Sequence, residues 1–379
     1  MYNEVVDYIR ELYETDDFIA LHEPRFNGNE KKYVAETIDS TFVSSVGRFV
    51  DQFEQDFSKY IGVEKSVACV NGTAALHMSL ILAGVSQNDE VITQSLTFIA
   101  TCNAITYQKA YPVFVDVDKD TMGMSPVALR NFLEKNAKLT KEGCLNKSTG
   151  RIIKAVVPMH SFGHACRIDE IASICKEWNI LLVEDAAEAI GSRYKGKALG
   201  TFGDIAAFSF NGNKIITTGG GGMVVAKDQN IAAKAKYLTT TAKKPHPYEF
   251  FHDEVGYNYR LPNINAALGC AQLEQIDVFL KSKRQIAQKY KDFFKTREEQ
   301  FIDEIKDSEG NFWLNAILLK DRPARDEFLN FVNSKNVMVR PVWTLINKLP
   351  MFKGCQSDLL ENSKWLEDRI VNLPSSARL

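Results

Sequence analysis

The sequence predicts an α/β protein in which a mainly parallel sheet is covered by helices and is followed by a smaller α+β unit. From residue 66 onward, short apolar runs alternate with helical stretches, a pattern typical of parallel strands joined by crossover helices. The chain has 379 residues, more than a single core usually holds, which favours two domains. Apolar residues at 45% and charged residues at 25% indicate a soluble globular protein.

The pattern of apolar residues in the amino-terminal region predicts three helices before the first strand of the sheet. Residues 3–15 place apolar side chains on one stripe at helical spacing, and residues 29–41 and 47–60 follow after a loop. We therefore expect an amino-terminal helix and arm over residues 1–30, followed by the start of a large domain.

Seven strands are expected in the large domain, which we place over residues 31–245. They cover residues 66–70, 90–93, 112–117, 152–157, 180–184, 205–210 and 222–226. Helices are expected over residues 73–83, 97–107, 125–135, 168–177 and 229–239. Because ligands of parallel sheets bind beyond the carboxyl ends of the strands, the residues that directly follow each strand are candidates for a functional site.

The carboxyl-terminal unit is expected over residues 246–379. A polar segment with two prolines precedes it, and a long helix begins at residue 264 and continues to about residue 295. Strands over residues 312–319 and 337–340 flank a predicted helix over residues 326–335. This alternation predicts a small α+β domain.

Lys214 follows the sixth strand and precedes the glycine run 219–222. A lysine between two apolar segments is a candidate Schiff-base amine, because partial desolvation favours the neutral form that attacks a carbonyl. Taken alone, a short segment of this kind fits a surface lysine in a glycine loop better than a Schiff-base lysine. It is not a P-loop, because in that motif the lysine comes after the glycines.

Other strand ends also carry candidate residues. Gly72 and Thr73 open a helix whose backbone N–H groups could bind an anion, although Thr73 could also be an ordinary helix cap. Phe98 follows the second strand, either at the mouth of a site or in the core. Asp185 ends a nearly unbroken apolar strand, where a carboxylate is costly unless it has a cationic or hydrogen-bonding partner.

Composition argues against several other functions. The net charge of −2 does not favour nucleic acid, and no apolar run is long enough to span a membrane. Seven scattered cysteines without a C-x-x-C pair indicate reduced thiols in a cytoplasmic protein. His160 and His164 lack further ligands, so we expect no metal site. No G-x-G-x-x-G follows the first strand, which argues against a nicotinamide cofactor.

Read together, the motifs resemble those of the DegT-type sugar aminotransferases, which are fold-type-I enzymes dependent on pyridoxal 5′-phosphate (PLP). The resemblance runs from about residue 25 to the end of the chain. It rests on NGTAAL at 71–76, TF at 97–98, EDAAE at 184–188, GTFG at 200–203, SFNGNK at 209–214, GYNYR at 256–260, RPVW at 340–343 and LPSS at 373–376. The branch it resembles most aminates UDP-linked 4-keto-6-deoxy-N-acetylhexosamines on the path to bacillosamine- or legionaminic acid-type sugars.

The resemblance implies roles for individual residues. Lys214 would form the Schiff base with PLP and move protons, and Asp185 would pair with the pyridinium nitrogen. Asn258 would reach the cofactor of a neighbouring subunit, so that a homodimer forms the active site. The implied cofactor contacts are Gly72, Thr73, Phe98, Asp185, Glu188, Ser209, Asn213, Lys214 and Asn258.

The resemblance also implies a reaction, the transfer of an amino group from L-glutamate to C4 of the UDP-linked keto sugar for bacterial surface glycans or glycoproteins. Substrate contacts are expected from Thr41, Phe42, Val43, Ser44, Arg340 and Trp343, for which packing and surface charge are alternative roles. Two other functions remain open. The chain could aminate another nucleotide-linked sugar, GDP-perosamine-like or dTDP-linked, or it could be a PLP-binding regulatory protein without turnover. Related dehydratases carry histidine at the Schiff-base position, so Lys214 favours transamination.

Overall fold

The computed structural model describes residues 2–379 and contains a large α/β layer with a smaller α+β layer beside it. The helices are α1 (Asn3–Tyr13), α2 (Glu30–Asp39), α3 (Arg48–Ile61), α4 (Gly72–Leu82), α5 (Ile99–Tyr107), α6 (Pro126–Asn136), α7 (Ile168–Glu177), α8 (Gln229–Thr239), α9 (Asn263–Leu273), α10 (Ile276–Phe294), α11 (Arg322–Ser334) and α12 (Glu361–Glu367). The strands of the large layer are β1 (Ser66–Cys69), β2 (Glu90–Gln94), β3 (Tyr111–Val115), β4 (Ala137–Leu139), β5 (Cys144–Asn146), β6 (Ile152–Val157), β7 (Leu181–Asp185), β8 (Arg193–Tyr194), β9 (Lys197–Ala198), β10 (Ile205–Ser209) and β11 (Gly222–Ala226). The remaining strands are β12 (Gln300–Phe301), β13 (Ser308–Glu309), β14 (Asn315–Leu318), β15 (Arg340–Pro341) and β16 (Ile370–Leu373).

The central sheet contains all seven predicted strands, in the order β1-β11-β10-β7-β6-β2-β3. Strands β10, β7, β6, β2 and β3 pair in parallel, whereas β11 is antiparallel to both of its neighbours. The mainly parallel α/β class is therefore confirmed. The hairpin β4–β5, which the sequence analysis did not predict, adds two strands through the pairing of β5 with β6.

Both faces of the central sheet are covered by helices. Successive strand residues point to opposite faces, so Ala206 packs in the cluster that includes α3, α6, α7 and α9. Ala207 instead packs in the cluster that includes α4, α5 and α8. This two-sided burial explains why the strands are apolar without interruption.

The smaller layer is built on the antiparallel sheet β12-β14-β16-β15. Its core includes apolar residues of α1, such as Val5 and Ile9, together with residues of α10 and α11, such as Tyr290 and Phe328. The amino-terminal helix thus packs against the carboxyl-terminal part of the chain. The predicted domain limits, 1–30, 31–245 and 246–379, stay predictions.

Several boundaries in the carboxyl-terminal half differ from those predicted. The long helix expected from residue 264 is interrupted at Glu274 and Gln275 and forms α9 and α10. The strand expected from residue 312 begins only at Asn315, because Phe312 has a left-handed backbone conformation with φ of 46°. Helix α11 begins earlier than expected, because Asp321 caps it by accepting from the Ala324 N–H at 3.0 Å.

A search of the helices in residues 2–379 finds none with the length and apolar composition needed to cross a lipid bilayer.

An aromatic cluster fixes the end of β10, the strand that leads to Lys214. The ring of Phe57 on α3 lies 5.1 Å from that of Phe208 and 5.6 Å from that of Phe210, both in edge-to-face geometry. All three rings are almost completely buried. Edge-to-face pairs of this kind add to the gain from area burial alone.

We predict that Phe57→Ala lowers the free energy of unfolding by about 3–5 kcal/mol, because it leaves a cavity that the surrounding sheet cannot close. The measurement is the change in urea-induced unfolding followed by circular dichroism. The control is Phe18→Ala, since Phe18 is 55% exposed and its loss should change stability by less than about 0.5 kcal/mol. Equal effects of the two substitutions would contradict the structural role of the cluster.

Candidate active site

A cavity of about 330 Å³ opens where the carboxyl ends of β1, β7 and β10 meet the segments that carry the two tryptophans Trp313 and Trp343. It brings together most of the predicted site residues, namely Gly72, Thr73, Phe98, Asp185, Glu188, Ser209, Asn213, Lys214 and Trp343. The residues that the sequence analysis did not assign to the site are Asn71, Leu76, Ala100, Met159, Ala187, Asn211 and Trp313.

The start of helix α4 forms one end of the cavity. Asn71 caps this helix by accepting from the Ala74 N–H at 2.8 Å, so the cap is Asn71 and not Thr73. Gly72 lies against Ser209 so closely that an added Cβ would come within 2.7 Å of the Ser209 Cβ. Free N–H groups at a helix start and a serine hydroxyl make a site for an anion such as phosphate.

Asp185 lies at the end of β7 and is almost completely buried. Its Oδ2 accepts from the Thr101 hydroxyl at 2.6 Å, and its Oδ1 accepts from the Ala187 N–H at 3.2 Å. Burial raises the pKa of Asp185, while both hydrogen bonds and the charge of Lys214 act in the opposite direction. The carboxylate would be stabilised further by a cation placed in the cavity, as an Asp paired with a pyridinium nitrogen requires.

The side chain of Lys214 is largely covered, with 12% of its surface exposed. Its Nζ lies 3.1 Å from Oε1 of Glu188, whose other oxygen accepts from the Phe162 N–H at 2.8 Å. Burial raises the pKa of Glu188 to about 7, even though the charge of Lys214 and the Phe162 N–H oppose this shift. The expected Schiff-base lysine therefore points into the cavity and touches a buried carboxyl group.

Trp313 also contacts Lys214 and its neighbour Asn213. Its indole N–H donates to the backbone carbonyl of Asn213 at 2.6 Å, and its ring centroid lies 3.8 Å from Nζ of Lys214. A ring face at this distance attracts an ammonium group. Trp313 lies in a predicted strand that the sequence analysis treated only as structure, and its contact with a residue 100 positions away left no local signal.

Three groups of predicted site residues lie outside this cavity in the single chain. The backbone carbonyls of Phe42 and Ser44, in the 41–44 segment, are bound by Asn263. Arg340 is exposed and donates to Asn333 Oδ1 at 3.1 Å. Asn258 is exposed next to Thr240, with which it forms an isolated bridge. Their predicted contacts with the nucleotide sugar and with a neighbouring subunit's cofactor stay predictions.

No group of three or more histidine, cysteine or acidic side chains within residues 2–379 could hold a metal ion. Nε2 of His160 lies 2.9 Å from Oε2 of Glu184, and His164 packs edge-on against Phe312. Both histidines are buried. The backbone N–H of His160 also donates to the Asp185 carbonyl at 3.2 Å, so His160 belongs to the hydrogen-bonded wall beside Asp185, whereas His164 is a packing residue.

Residues 24–379 match the model of the DegT/DnrJ/EryC1/StrS aminotransferase family. The chain is 40% identical over 360 residues to the GDP-perosamine synthase of Escherichia coli O157:H7, an alignment that covers 94% of this chain and 93% of that protein. It is 36% identical over 365 residues to the GDP-perosamine synthase of Caulobacter vibrioides, covering 95% and 94% of the two proteins. The crystal structure of the aminotransferase TlmJ from Streptoalloteichus hindustanus superposes with a TM-score of 0.86 at 26% identity, covering 94% and 93%.

The chain belongs to the DegT/DnrJ/EryC1/StrS aminotransferase family and is a PLP-dependent sugar aminotransferase with the type I fold. The cavity fits this cofactor on three structural grounds. Gly72 lets the start of α4 lie directly against Ser209, so that helix N–H groups and a hydroxyl can bind a phosphate together, and Asp185 is a buried carboxylate whose close hydrogen-bond donors are neutral. Lys214 supplies an amine in the same cavity.

We predict that Asp185→Asn leaves the cofactor bound but slows turnover on the order of 10²-fold, because it removes the charge that would keep the ring nitrogen protonated. Cofactor content by absorbance and kcat in an amino-transfer assay test this prediction. Thr101→Val, which removes the hydroxyl that orients the same carboxylate, is expected to have a smaller effect in the same direction. An unimpaired kcat in Asp185→Asn would rule out the ion-pair role.

We predict that Trp313→Phe lowers kcat/KM by about 3- to 10-fold, the effect of losing one hydrogen bond worth about 1 kcal/mol. The phenylalanine keeps an aromatic ring beside Lys214 but cannot donate to the Asn213 carbonyl. Trp313→Leu, which also removes the ring, should lower kcat/KM further. If both variants match the wild type in steady-state kinetics, Trp313 does not position the lysine.

Proposed function

We propose that the chain transfers an amino group from L-glutamate to C4 of a nucleotide-linked 4-keto-6-deoxy sugar. The observation that supports this most is the single cavity in which Lys214, Asp185 and Glu188 face an anion-binding helix start. Family membership supports the sugar as the class of amino acceptor. That L-glutamate is the amino donor, and which nucleotide carries the sugar, are parts of this proposal only.

When bound, PLP supplies an electron sink for the carbon that loses its proton. The residues of the chain bind and orient the reactants around it. Ser209 and the N–H groups at the start of α4 would hold the phosphate, and the Asp185 carboxylate would stabilise a protonated ring nitrogen. Thr101 and Ala187 hold that carboxylate in one orientation, so no reorganisation is needed during turnover.

Lys214 is the residue that moves protons. Once its amine is free, Nζ takes the proton from the carbon of the amino donor, and in the second half-reaction it delivers a proton to C4 of the sugar. A positioned acid–base group of this kind contributes typically about 10²- to 10⁴-fold. The face of the sugar on which Nζ lies determines whether the new amine is axial or equatorial.

The mouth of the cavity offers an aromatic surface for the sugar. The ring of Trp343 lies 5.1 Å from that of Phe162 and 6.4 Å from that of Phe98, which is 49% exposed. Such rings pack well against the apolar face of a deoxysugar while its hydroxyls stay hydrated. We infer that Trp343 contacts the sugar ring beside Phe98, the expected cofactor contact, whereas Arg340 lies outside this cavity.

The identity of the nucleotide that carries the sugar is the part of the substrate for which the cavity gives the least evidence. The two relatives described above are named for a GDP-linked sugar, and they favour GDP over the UDP-linked acetamido sugar expected from the motifs. We therefore propose a GDP-4-keto-6-deoxyhexose as the first substrate to test. The UDP-linked acetamido sugar is the second.

A homodimer in the cytoplasm is part of the proposal. Tyr248, Phe250 and Val255 each expose 79% or more of their surface in one segment near Asn258 in the sequence. Exposed apolar side chains grouped in this way are typical of surfaces that bind another protein. Pairing of this segment with a second copy would bring Asn258 towards the neighbouring cavity.

The test is to incubate the purified protein with L-glutamate and, separately, with GDP-, UDP- and dTDP-4-keto-6-deoxy sugars, and to detect amino sugars by mass spectrometry. We expect turnover with the GDP sugar and none in Lys214→Ala, since that variant lacks the proton-moving amine. Lys195→Ala is the matched control, because Lys195 is a surface lysine paired with Asp169. Turnover of no nucleotide sugar, with PLP still bound, would favour a regulatory protein instead.

A further inference from the structure

The contact between Glu188 and Lys214 buries an acid and a base against each other. The side chain of Glu188 is 2% exposed, and its Oε1 is the oxygen that meets the lysine amine at 3.1 Å. Its second oxygen is fixed by the Phe162 N–H at 2.8 Å, and the backbone carbonyl of Glu188 accepts from Asn311 at 2.7 Å. The carboxyl group is therefore held in one orientation, with one oxygen left for the lysine.

The Lys214–Glu188 contact can exist in two protonation states. It is either an ion pair of ammonium and carboxylate or a neutral pair of amine and carboxylic acid. Separated charges cost desolvation energy, and the transfer of one proton from nitrogen to oxygen removes both charges at once. The ring of Trp313 and the Phe162 N–H favour the charged forms, whereas burial favours the neutral ones. Asp185, the other acid close to this carboxyl, also favours a neutral Glu188. These opposing effects bring the two forms of the pair close in free energy.

We propose that Glu188 shares one proton with Lys214 and acts as the acceptor that returns the lysine amine to its neutral form. In this step one N–H bond of the Lys214 ammonium breaks, and an O–H bond forms at Oε1 of Glu188. The electron pair of the broken bond stays on nitrogen, so that Nζ can attack a carbonyl or accept a proton from carbon. The pair keeps its total charge, and no further reactant is needed.

This role goes beyond a hydrogen bond from Glu188 to the cofactor, which glutamine could provide equally well. Its catalytic meaning rests on the proposed function, but the proton sharing itself requires neither the sugar nor PLP. It can therefore be measured on the full chain after the cofactor has been removed with hydroxylamine. Failure of this proposal and failure of the proposed substrate would appear in separate experiments.

The test is the rate at which Lys214 is methylated by formaldehyde and a borane reductant between pH 6 and 11, measured by peptide mass spectrometry. Only the neutral amine reacts. Two coupled groups lose their protons in two steps, so the wild-type rate should rise near the first step, level off, and rise again at higher pH. In Glu188→Gln we expect one continuous rise of about tenfold per pH unit up to a single plateau.

Two controls keep the result specific. Lys195 on the surface serves as an internal reference in every sample, since its profile should not depend on residue 188. Glu54→Gln removes another lysine-paired carboxylate, one that lies 2.7 Å from Lys236 and also accepts a backbone N–H, and it should leave the two-step profile of Lys214 unchanged. A single step in wild type and Glu188→Gln alike would show that Glu188 is a fixed anion and overturn the proposal.

A second measurement observes the carboxyl group of Glu188 instead of the lysine amine. Infrared difference spectra of the cofactor-free protein across the first step should contain the C=O stretch of a protonated carboxylic acid. This band should persist on the plateau, where the lysine already reacts, and should be missing in Glu188→Gln. If the band disappears before Lys214 becomes reactive, the proton does not pass between the two groups, and the proposal fails.

Discussion

The cost of burying two adjacent carboxylates at the end of β7 constrains the whole site. Because successive strand residues point to opposite faces, Asp185 enters the cavity while Glu184 points into the core behind it. Hydrogen bonds from Thr101 and Ala187 offset the cost of burying the Asp185 carboxylate. Because Thr101 lies in the first turn of α5, this helix must begin beside the site. Glu184 accepts backbone N–H groups from the loop 200–203. That loop, a recognisable motif in the sequence, thus supports Asp185 indirectly.

The glycine run that follows Lys214 has a structural explanation of the same kind. Phe210 donates its N–H to the Gly221 carbonyl at 2.8 Å, so the lysine loop closes on β11 directly beyond the end of β10. At Gly222 an added Cβ would lie 2.5 Å from the Asn71 carbonyl oxygen, which lets β11 pass close to the start of α4. The glycines therefore bring the lysine loop and the helix start together, without the nucleotide-binding role that such a run first suggests.

The sequence contained enough information to predict the sheet and to place Asp185 and Lys214 beyond strand ends at one edge of it, because strand periodicity and residues at strand ends are local signals. The hairpin β4–β5 was missed, since its strands of three residues are partly polar and too short for a periodic pattern. Thr101 and Trp313 were missed for another reason. They act through contacts with Asp185 and with the carbonyl of Asn213, which lie 84 and 100 positions away, and no property of the neighbouring residues encodes such contacts.

The two acids of the cavity show how environment separates chemically similar groups. Burial raises the pKa of both Asp185 and Glu188. Asp185 receives two neutral hydrogen bonds that favour its anion, and in the proposed mechanism it would pair with the ring nitrogen of the cofactor. Glu188 receives one backbone hydrogen bond, from Phe162, and otherwise faces Lys214, whose amine gains and loses a proton in the proposed reaction. In the mechanism proposed above, the two carboxyl groups of the cavity therefore take different roles, Asp185 as a permanent anion and Glu188 as a proton carrier.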